Sequence, residues 1–171
     1  MSSVAVSTYA LTYNTTHTVT YVTGKMLLLL KEIIRGVGLS PGKLTEEWES
    51  LELAISTWIR SQHLQKLTLE IYDSKTNALV SRWDLDVAYG YGSEDGFWVD
   101  TDSIRYSIKK SGLVPSQCSY CFLIYNAPGR ADVPGWGPTK ARLTDGFRRY
   151  SIGATIGGNG IGTEVAYWKK T

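Results

Sequence analysis

The residues best suited to chemistry in this chain are Asp84 and Asp86, two apart on one alternating segment, with Glu94, Asp95, Asp100 and Asp102 close behind in sequence. Converging carboxylates of this kind hold Mg²⁺ in nucleases and phosphotransferases. The alternation weighs against that use, because it sets both acids opposite Trp83, Leu85 and Val87, on the face expected to be wet. Cys118 and Cys121 form a lone C-x-x-C, which holds a metal or works in redox exchange when a turn or helix start makes both sulfurs converge. These two fall within a strand pattern, where residues three apart point to opposite faces, so a structural role is expected and no metal site. The glycines from Gly157 to Gly162 are followed by Thr163 and Glu164, not by the Gly-Lys-Ser/Thr of a phosphate loop, and strand patterns on both sides make them a hairpin turn. Arg148, Arg149 and Tyr150, with Trp168, Lys169 and Lys170, could stack bases and neutralise phosphates. Alternation sends the two arginines to opposite faces, which weakens that reading. His17 and His63, the only histidines, have no partner in a recognisable nucleophile or metal motif and read as surface residues.

The chain that must position these residues has 171 of them, 43% hydrophobic, 20% charged and 12% aromatic, enough for one globular domain with a substantial core. Its 18 basic and 16 acidic residues lack the excess of positive charge that dedicated nucleic-acid binders carry. Two cysteines cannot make a disulfide framework, and the start Met-Ser-Ser-Val has no basic region followed by an apolar one. A cytoplasmic protein is expected. The most apolar run, Met26 to Leu30, is far short of the roughly 20 residues that span a bilayer, so no membrane association is expected.

Spacings of three and four among Val19, Val22, Met26, Leu30, Ile33 and Val37 predict a helix over 18–37, which Gly38 and Pro41 end. Leu44, Trp48, Leu51, Ile55 and Ile59 predict a second, with Glu46 and Glu47 near its positive end. The period then changes to two. Leu67, Leu69 and Ile71 form one strand, and Leu79, Trp83, Leu85, Val87 and Tyr89 share a face of the next, a hairpin with one wet face. Asp100 and Thr101 are good caps for a short helix carrying Ile104 and Ile108, and a strand over 117–125 follows. From Asn126 to Gly146 lie three of the five prolines, four glycines and no period, a run of a kind that compact domains rarely keep without a use. A terminal hairpin closes the chain, with Tyr150, Ile152 and Ile156 alternating on one strand and Val165 and Tyr167 on the other. Residues 127–171 carry a net charge of +4 and residues 1–126 a net −2.

This order of segments resembles the bacterial HORMA-domain family over essentially the whole chain. The resemblance rests on a long helix (THTVTYVTGKMLLLLKEII from Thr16), a Trp-bearing helix (EEWESLELAISTWI from Glu46) and the hairpin LTLEIYD to SRWDLDVAYG, followed by DGFWVDTDSIRYSIKKSGL, the strand QCSYCFLIYN, and the tail GRADVPGW to AYWKK. It implies an α+β fold, three helices packed on a mainly antiparallel sheet, with a core over 1–126 and a C-terminal safety belt over 127–171. A closure-motif peptide would add as a strand at the sheet edge and be trapped by the belt. The implied peptide-binding residues are Tyr120, Phe122 and Ile124 on the candidate edge strand, and Trp136, Phe147, Tyr150, Ile152, Tyr167 and Trp168 on the belt.

The resemblance further implies a non-enzymatic adaptor without cofactors in CBASS anti-phage immunity. Its closed, peptide-bound state would bind and activate a cGAS/DncV-like nucleotidyltransferase. A hexameric AAA+ ATPase would reset it by gripping the polar, threonine-rich residues 2–14, and a second HORMA protein is a further partner; nucleic acid would be met only through the complex. Removal of 127–171 is expected to abolish peptide capture and leave a folded core. Two alternatives stand beside this reading: a Mg²⁺-dependent nuclease or phosphotransferase built on Asp84 and Asp86, and a nucleic-acid-binding module centred on Arg148, Arg149 and Trp168.

Overall fold

The computed structural model describes the backbone of residues 2–91 and 96–171, and the side chains of residues 16–90 and 96–171. In chain order the elements are α1 (Ser2–Gly36), α2 (Gly42–Arg60), β1 (Leu64–Asp73), β2 (Leu79–Tyr91), β3 (Trp98–Val99), α3 (Thr101–Ser111), β4 (Cys118–Asn126), β5 (Phe147–Gly158) and β6 (Gly160–Lys170). The strands form one sheet in the order β3-β5-β6-β2-β1-β4, and every neighbouring pair is antiparallel. Three helices cover one face of it.

Local chemistry accounts for the boundaries. Gly38, at φ +93°, takes the left-handed conformation that ends α1, and Pro41 precedes α2. The Asp100 carboxylate accepts the Ser103 N–H at 3.1 Å and the Ser103 hydroxyl at 2.7 Å, capping α3 as the sequence predicts. Asn159 and Gly160 have φ of 51° and 88°, so the β5–β6 hairpin turns on an Asn-Gly pair with positive φ at both positions, the hand that matches strand twist. Two extents differ from the sequence reading. The Thr-rich segment before residue 18 has no apolar period, yet α1 begins at Ser2; β3 is two residues long, too short for a period to exist. α2 begins at Gly42, which leaves Glu46 and Glu47 beyond its first turn, where the helix dipole favours acids less.

The core lies between the helices and the inner sheet face. Met26, Leu30 and Ile33 of α1, and Leu51, Ile55 and Trp58 of α2, meet Leu67, Leu69, Trp83, Leu85, Val165 and Tyr167 of the sheet. Burying each aliphatic side chain stabilises the fold by about 2 kcal/mol before conformational entropy is subtracted. β6 lies between β5 and β2, so Ile156, Val165 and Tyr167 from the last 45 residues share one core with residues 1–126. Cutting the chain after Asn126 would uncover β2 and remove these side chains; the expectation that such a truncation leaves an intact core is therefore corrected.

The outer sheet face also differs from expectation. Thr68, Glu70, Arg82 and Asp84 point away from the helices but are buried, so the β1–β2 hairpin has a polar interior where a wet face was expected. Alternation reports the face of a residue and not what covers that face.

Gly36 marks a close approach of two helices. A Cβ built there would lie 2.2 Å from Cγ2 of Ile108 on α3, whereas one at Gly24 meets nothing within 4 Å. Gly36→Ala is expected to destabilise the fold by about 1–3 kcal/mol. Gly24→Ala, within the same helix, is expected to be neutral or stabilising by up to about 1 kcal/mol. Urea unfolding of the two variants checks the contrast, and equal effects would contradict the close α1–α3 contact.

Candidate functional site

β4 is one edge of the sheet and pairs on one side with β1. In an antiparallel strand the N–H and C=O of a residue point to the same side and alternate along the chain. The Tyr120 carbonyl is taken from outside the sheet by the Lys43 amine at 2.7 Å, and the Ser74 N–H, at the far end of β1, donates to the Gln117 carbonyl at 3.4 Å. Cys121, Leu123 and Tyr125 therefore bond β1, and Tyr120, Phe122 and Ile124 direct their amide groups out of the sheet. The Tyr120 hydroxyl donates to the Ser40 carbonyl at 2.7 Å and accepts the Leu44 N–H at 3.2 Å, strapping the start of α2 to this end of the edge. From Phe122 onward the outward amide groups have no hydrogen-bond partner among the described residues.

The irregular segment 127–146 passes around this edge. On the helix side, the Trp58 indole N–H donates to the Ala131 carbonyl at 2.8 Å, Arg130 lies 5.0 Å over the Trp58 ring, and Val133 is buried. Trp136 meets Trp58 edge-on at 6.1 Å, and its indole N–H donates to the Ser50 hydroxyl at 3.2 Å. The chain then runs outside β4, leaving a cleft of about 200 Å³ whose walls include Phe122, Ile124, Tyr125, Trp136, Pro138 and Ala141. On the outer face it is fixed by Arg142. Its backbone N–H donates to Glu70 Oε2 at 2.7 Å, and its Nη1 to Oε1 at 2.8 Å. Its Nη2 donates to Asn77 Oδ1 at 2.6 Å, and its guanidinium lies 3.7 Å over the Tyr72 ring. Glu70 is only 1% exposed, and this pairing provides for its buried charge. Cys121, beside both groups, has its thiol pushed up by burial, which the Arg142 contact only partly offsets; it is a packed residue, not a reactive one.

A second buried group holds the middle of the outer face. Asp84 accepts from Arg82 Nε at 2.8 Å, from the Trp168 indole N–H at 2.9 Å and from the Thr68 hydroxyl at 2.8 Å. Burial works to raise its carboxyl, but these donors outweigh it and hold Asp84 below the usual carboxylate range. Both of its oxygens are occupied, and Asp86 pairs with Arg149 at 3.5 Å. Among the described residues no three His, Cys, Asp or Glu side chains are grouped to hold a metal ion. Glu94 and Asp95 lie outside the described residues.

The nine residues expected to bind peptide are thus divided. Phe122, Ile124 and Trp136 line the cleft, with Tyr120 just beyond it as a strut. Phe147, Tyr150, Ile152, Tyr167 and Trp168 lie on β5 and β6, separated from β4 by β2 and β1. Tyr167 stacks on Tyr150 at 5.1 Å and meets Trp83 at 5.0 Å, so it anchors the hairpin in the core. Arg148 reaches over Tyr150 while Arg149 pairs Asp86 on the outer face, so the two arginines diverge as the alternation requires. Sequence reasoning missed the Glu70–Arg142 pair, whose partners are 72 residues apart. The available signal was a glutamate on the polar face of a strand and an arginine in a proline-rich run, and no spacing rule connects them.

The family model of bacterial HORMA domain 2 matches residues 1–171, and the chain belongs to that family. Solved structures agree on the fold. A chain of the mitotic checkpoint complex superposes with a TM-score of 0.75 at 11% identity, over 90% of this chain and 99% of that one. C. elegans HTP-2 bound to HTP-3 closure motif 1 gives 0.64 at 12% identity, over 87% and 86%. A chain of the E. coli MS115-1 CdnC:HORMA-deltaN complex gives 0.58 at 12% identity, over 89% and 87%. No curated protein matches the sequence. Among the described residues no helix is long and apolar enough to cross a membrane.

Two outcomes are expected of these charged groups. Arg142→Ala leaves buried Glu70 with the residue-142 N–H but no cationic partner and should cost about 3 kcal/mol, with amide exchange in 127–142 accelerating before the rest of the fold; uniform acceleration would show that the Arg142 side chain does not fix the segment. Because the folded pKa of Asp84 is depressed, its contribution is full above the ordinary aspartate value and is lost as pH falls through the folded one. Chemical unfolding from pH 7 to pH 2 should therefore show a stability loss below about pH 4 that Asp84→Asn diminishes.

Proposed function

We propose that this chain is a peptide-capturing adaptor in which the outward amides of Phe122 and Ile124 bind a closure-motif peptide as an added strand, trapped beneath the belt. The observation that carries this reading is the cleft between the β4 edge and residues 136–141. One wall supplies unpaired main-chain groups and the other Trp136, Pro138 and Ala141, the combination by which an added strand gains affinity from the ladder and specificity from alternate side-chain pockets. The wrapped arrangement, with 127–146 running from the helix layer to the outer face, supports residues 127–171 as the safety belt and 1–126 as the body it closes on. The closure motif bound by HTP-2 in the similar structure supports the class of ligand.

In the closed state, on this reading, the protein binds and activates a cGAS/DncV-like nucleotidyltransferase in CBASS anti-phage defence, in the cytoplasm and without catalysis of its own. The family and the likeness to the HORMA chain of a CdnC complex support this step. A hexameric AAA+ ATPase resets the switch by pulling on residues 2–14, whose side chains lie outside the described residues. A second HORMA protein is a further partner on this reading.

The test separates ladder from side chain. Peptides selected by the full-length chain from a display library are measured by fluorescence anisotropy against Ile124→Ala and Ile124→Pro. Proline removes the outward N–H and leaves the β1 ladder intact, as it does on natural edge strands. Ile124→Pro should bind at least about tenfold more weakly than Ile124→Ala, the value of one good main-chain hydrogen bond. Equal affinities, with both variants folded by circular dichroism, would remove the strand-addition reading.

A further inference from the structure

The opposite end of the outer face holds a second cavity, of about 320 Å³. Strand register shows how it arises. One row across the sheet reads Ala88, Gly162, Gly157, Trp98, and the next reads Asp86, Glu164, Ala154. The two central positions of the first row have no side chain, so bare backbone about 10 Å wide forms a floor. Trp98 is seated on it: a Cβ at Gly157 would lie 2.7 to 2.9 Å from three atoms of its indole, so only glycine lets the ring lie flat there. Trp98 as a residue remains 45% exposed. The facing wall carries Asp86 and Glu164.

Of the two carboxylates on this wall, Asp86 has cations beside it and, among the described residues, Glu164 does not. Arg149 reaches Asp86 from two rows away on the side opposite the glycine floor, and Lys66, paired with Asp86 in register, leans over the Tyr125 ring at 4.9 Å. Glu164 is exposed and, among the described residues, has no hydrogen-bond or ion-pair partner. An unpaired carboxylate, a flat floor and an exposed indole make a site for a planar cation. A guanidinium stacks on an aromatic face and pairs a carboxylate through two parallel N–H groups, whereas an ammonium has neither the plane nor the fork.

We propose that this trough is a socket for the guanidinium of an arginine side chain presented by a protein partner. It lies on β2, β6, β5 and β3, away from the β4 edge, and does not depend on peptide capture there. The chain thereby has two docking sites of different chemistry: a main-chain edge for an extended peptide, and a side-chain socket for one basic residue.

The experiment uses the ¹⁵N-labelled full-length chain and acetyl-Gly-Arg-Gly-amide as the probe, following the Trp98 indole N–H resonance, assigned by its loss in Trp98→Phe. A saturable shift is expected. The citrulline analogue, isosteric and uncharged, should bind at least tenfold more weakly, the lysine analogue at least threefold more weakly, and Glu164→Gln should weaken the arginine probe at least fivefold. Glu164 is on the surface, so this variant keeps the fold, and it should leave the anisotropy of closure peptides unchanged. No saturable shift, citrulline or lysine binding as well as arginine, or an unaffected Glu164→Gln would each overturn the proposal. Loss of closure-peptide binding in Glu164→Gln would overturn the separation of the two sites.

Discussion

Phe122 and Ile124 present main-chain donors and acceptors to a side of β4 where no strand lies, and much of the rest of the molecule is arranged around that fact. An open edge is a liability, because any extended chain pairs with it. Proteins usually blunt such edges with charge, proline or a covering loop. Here Lys43 takes the first outward carbonyl and the irregular segment 127–146 passes in front of the others at a distance that leaves a cleft. The edge is shielded from indiscriminate pairing while a cleft remains beside it.

The wrapping segment is fixed by few contacts. Its two ends are held by different means, indole and carbonyl contacts near Trp58 on the helix side, and one arginine on Glu70 at the outer face. Only Val133 of this run is buried with the apolar core. A segment held by a few polar contacts detaches locally at a cost well below that of unfolding the domain. The β5–β6 hairpin is built in the contrary way. It packs Ile156, Val165 and Tyr167 into the core and contributes Trp168 to the buried Asp84 network, so any movement of it involves the centre of the sheet.

That network is a costly way to fill a sheet face. Buried ion pairs seldom exceed well-packed apolar residues in stability, and removing one partner is far worse than replacing both. Thr68, Arg82, Asp84 and Trp168 come from β1, β2 and β6, so their mutual satisfaction is met in one strand register only. Slipping β2 by one residue would place Asp84 in the helix-facing core, and slipping β1 or β6 would turn Thr68 or Trp168 away from it. The glycine trough at the far end of the same face is the counterpart, a place where side chains are missing and the backbone itself is offered.

What the sequence determined by itself is what short-range rules govern. The periods of α2 and β1, the cap at Asp100, the left-handed Gly38 and the Asn-Gly hairpin turn follow from local sterics and hydrogen bonding, and each stands where its residues place it. The irregular 126–146 run was legible for the same reason, as an absence of period. The tertiary structure decided everything that depends on distant partners. Alternation put Asp84 and Glu70 on the face away from the helices but could not foresee Trp168 and Arg142 closing over them, 84 and 72 residues away. The family resemblance marked Phe147, Tyr150, Ile152, Tyr167 and Trp168 as peptide-binding residues of a belt, but no local pattern could place their strands across the sheet from β4, because strand order is set by which edges meet. The cleft belongs to the same category: its walls come from β4 and from a segment with no period of its own, and only the folded chain brings them within reach of one another.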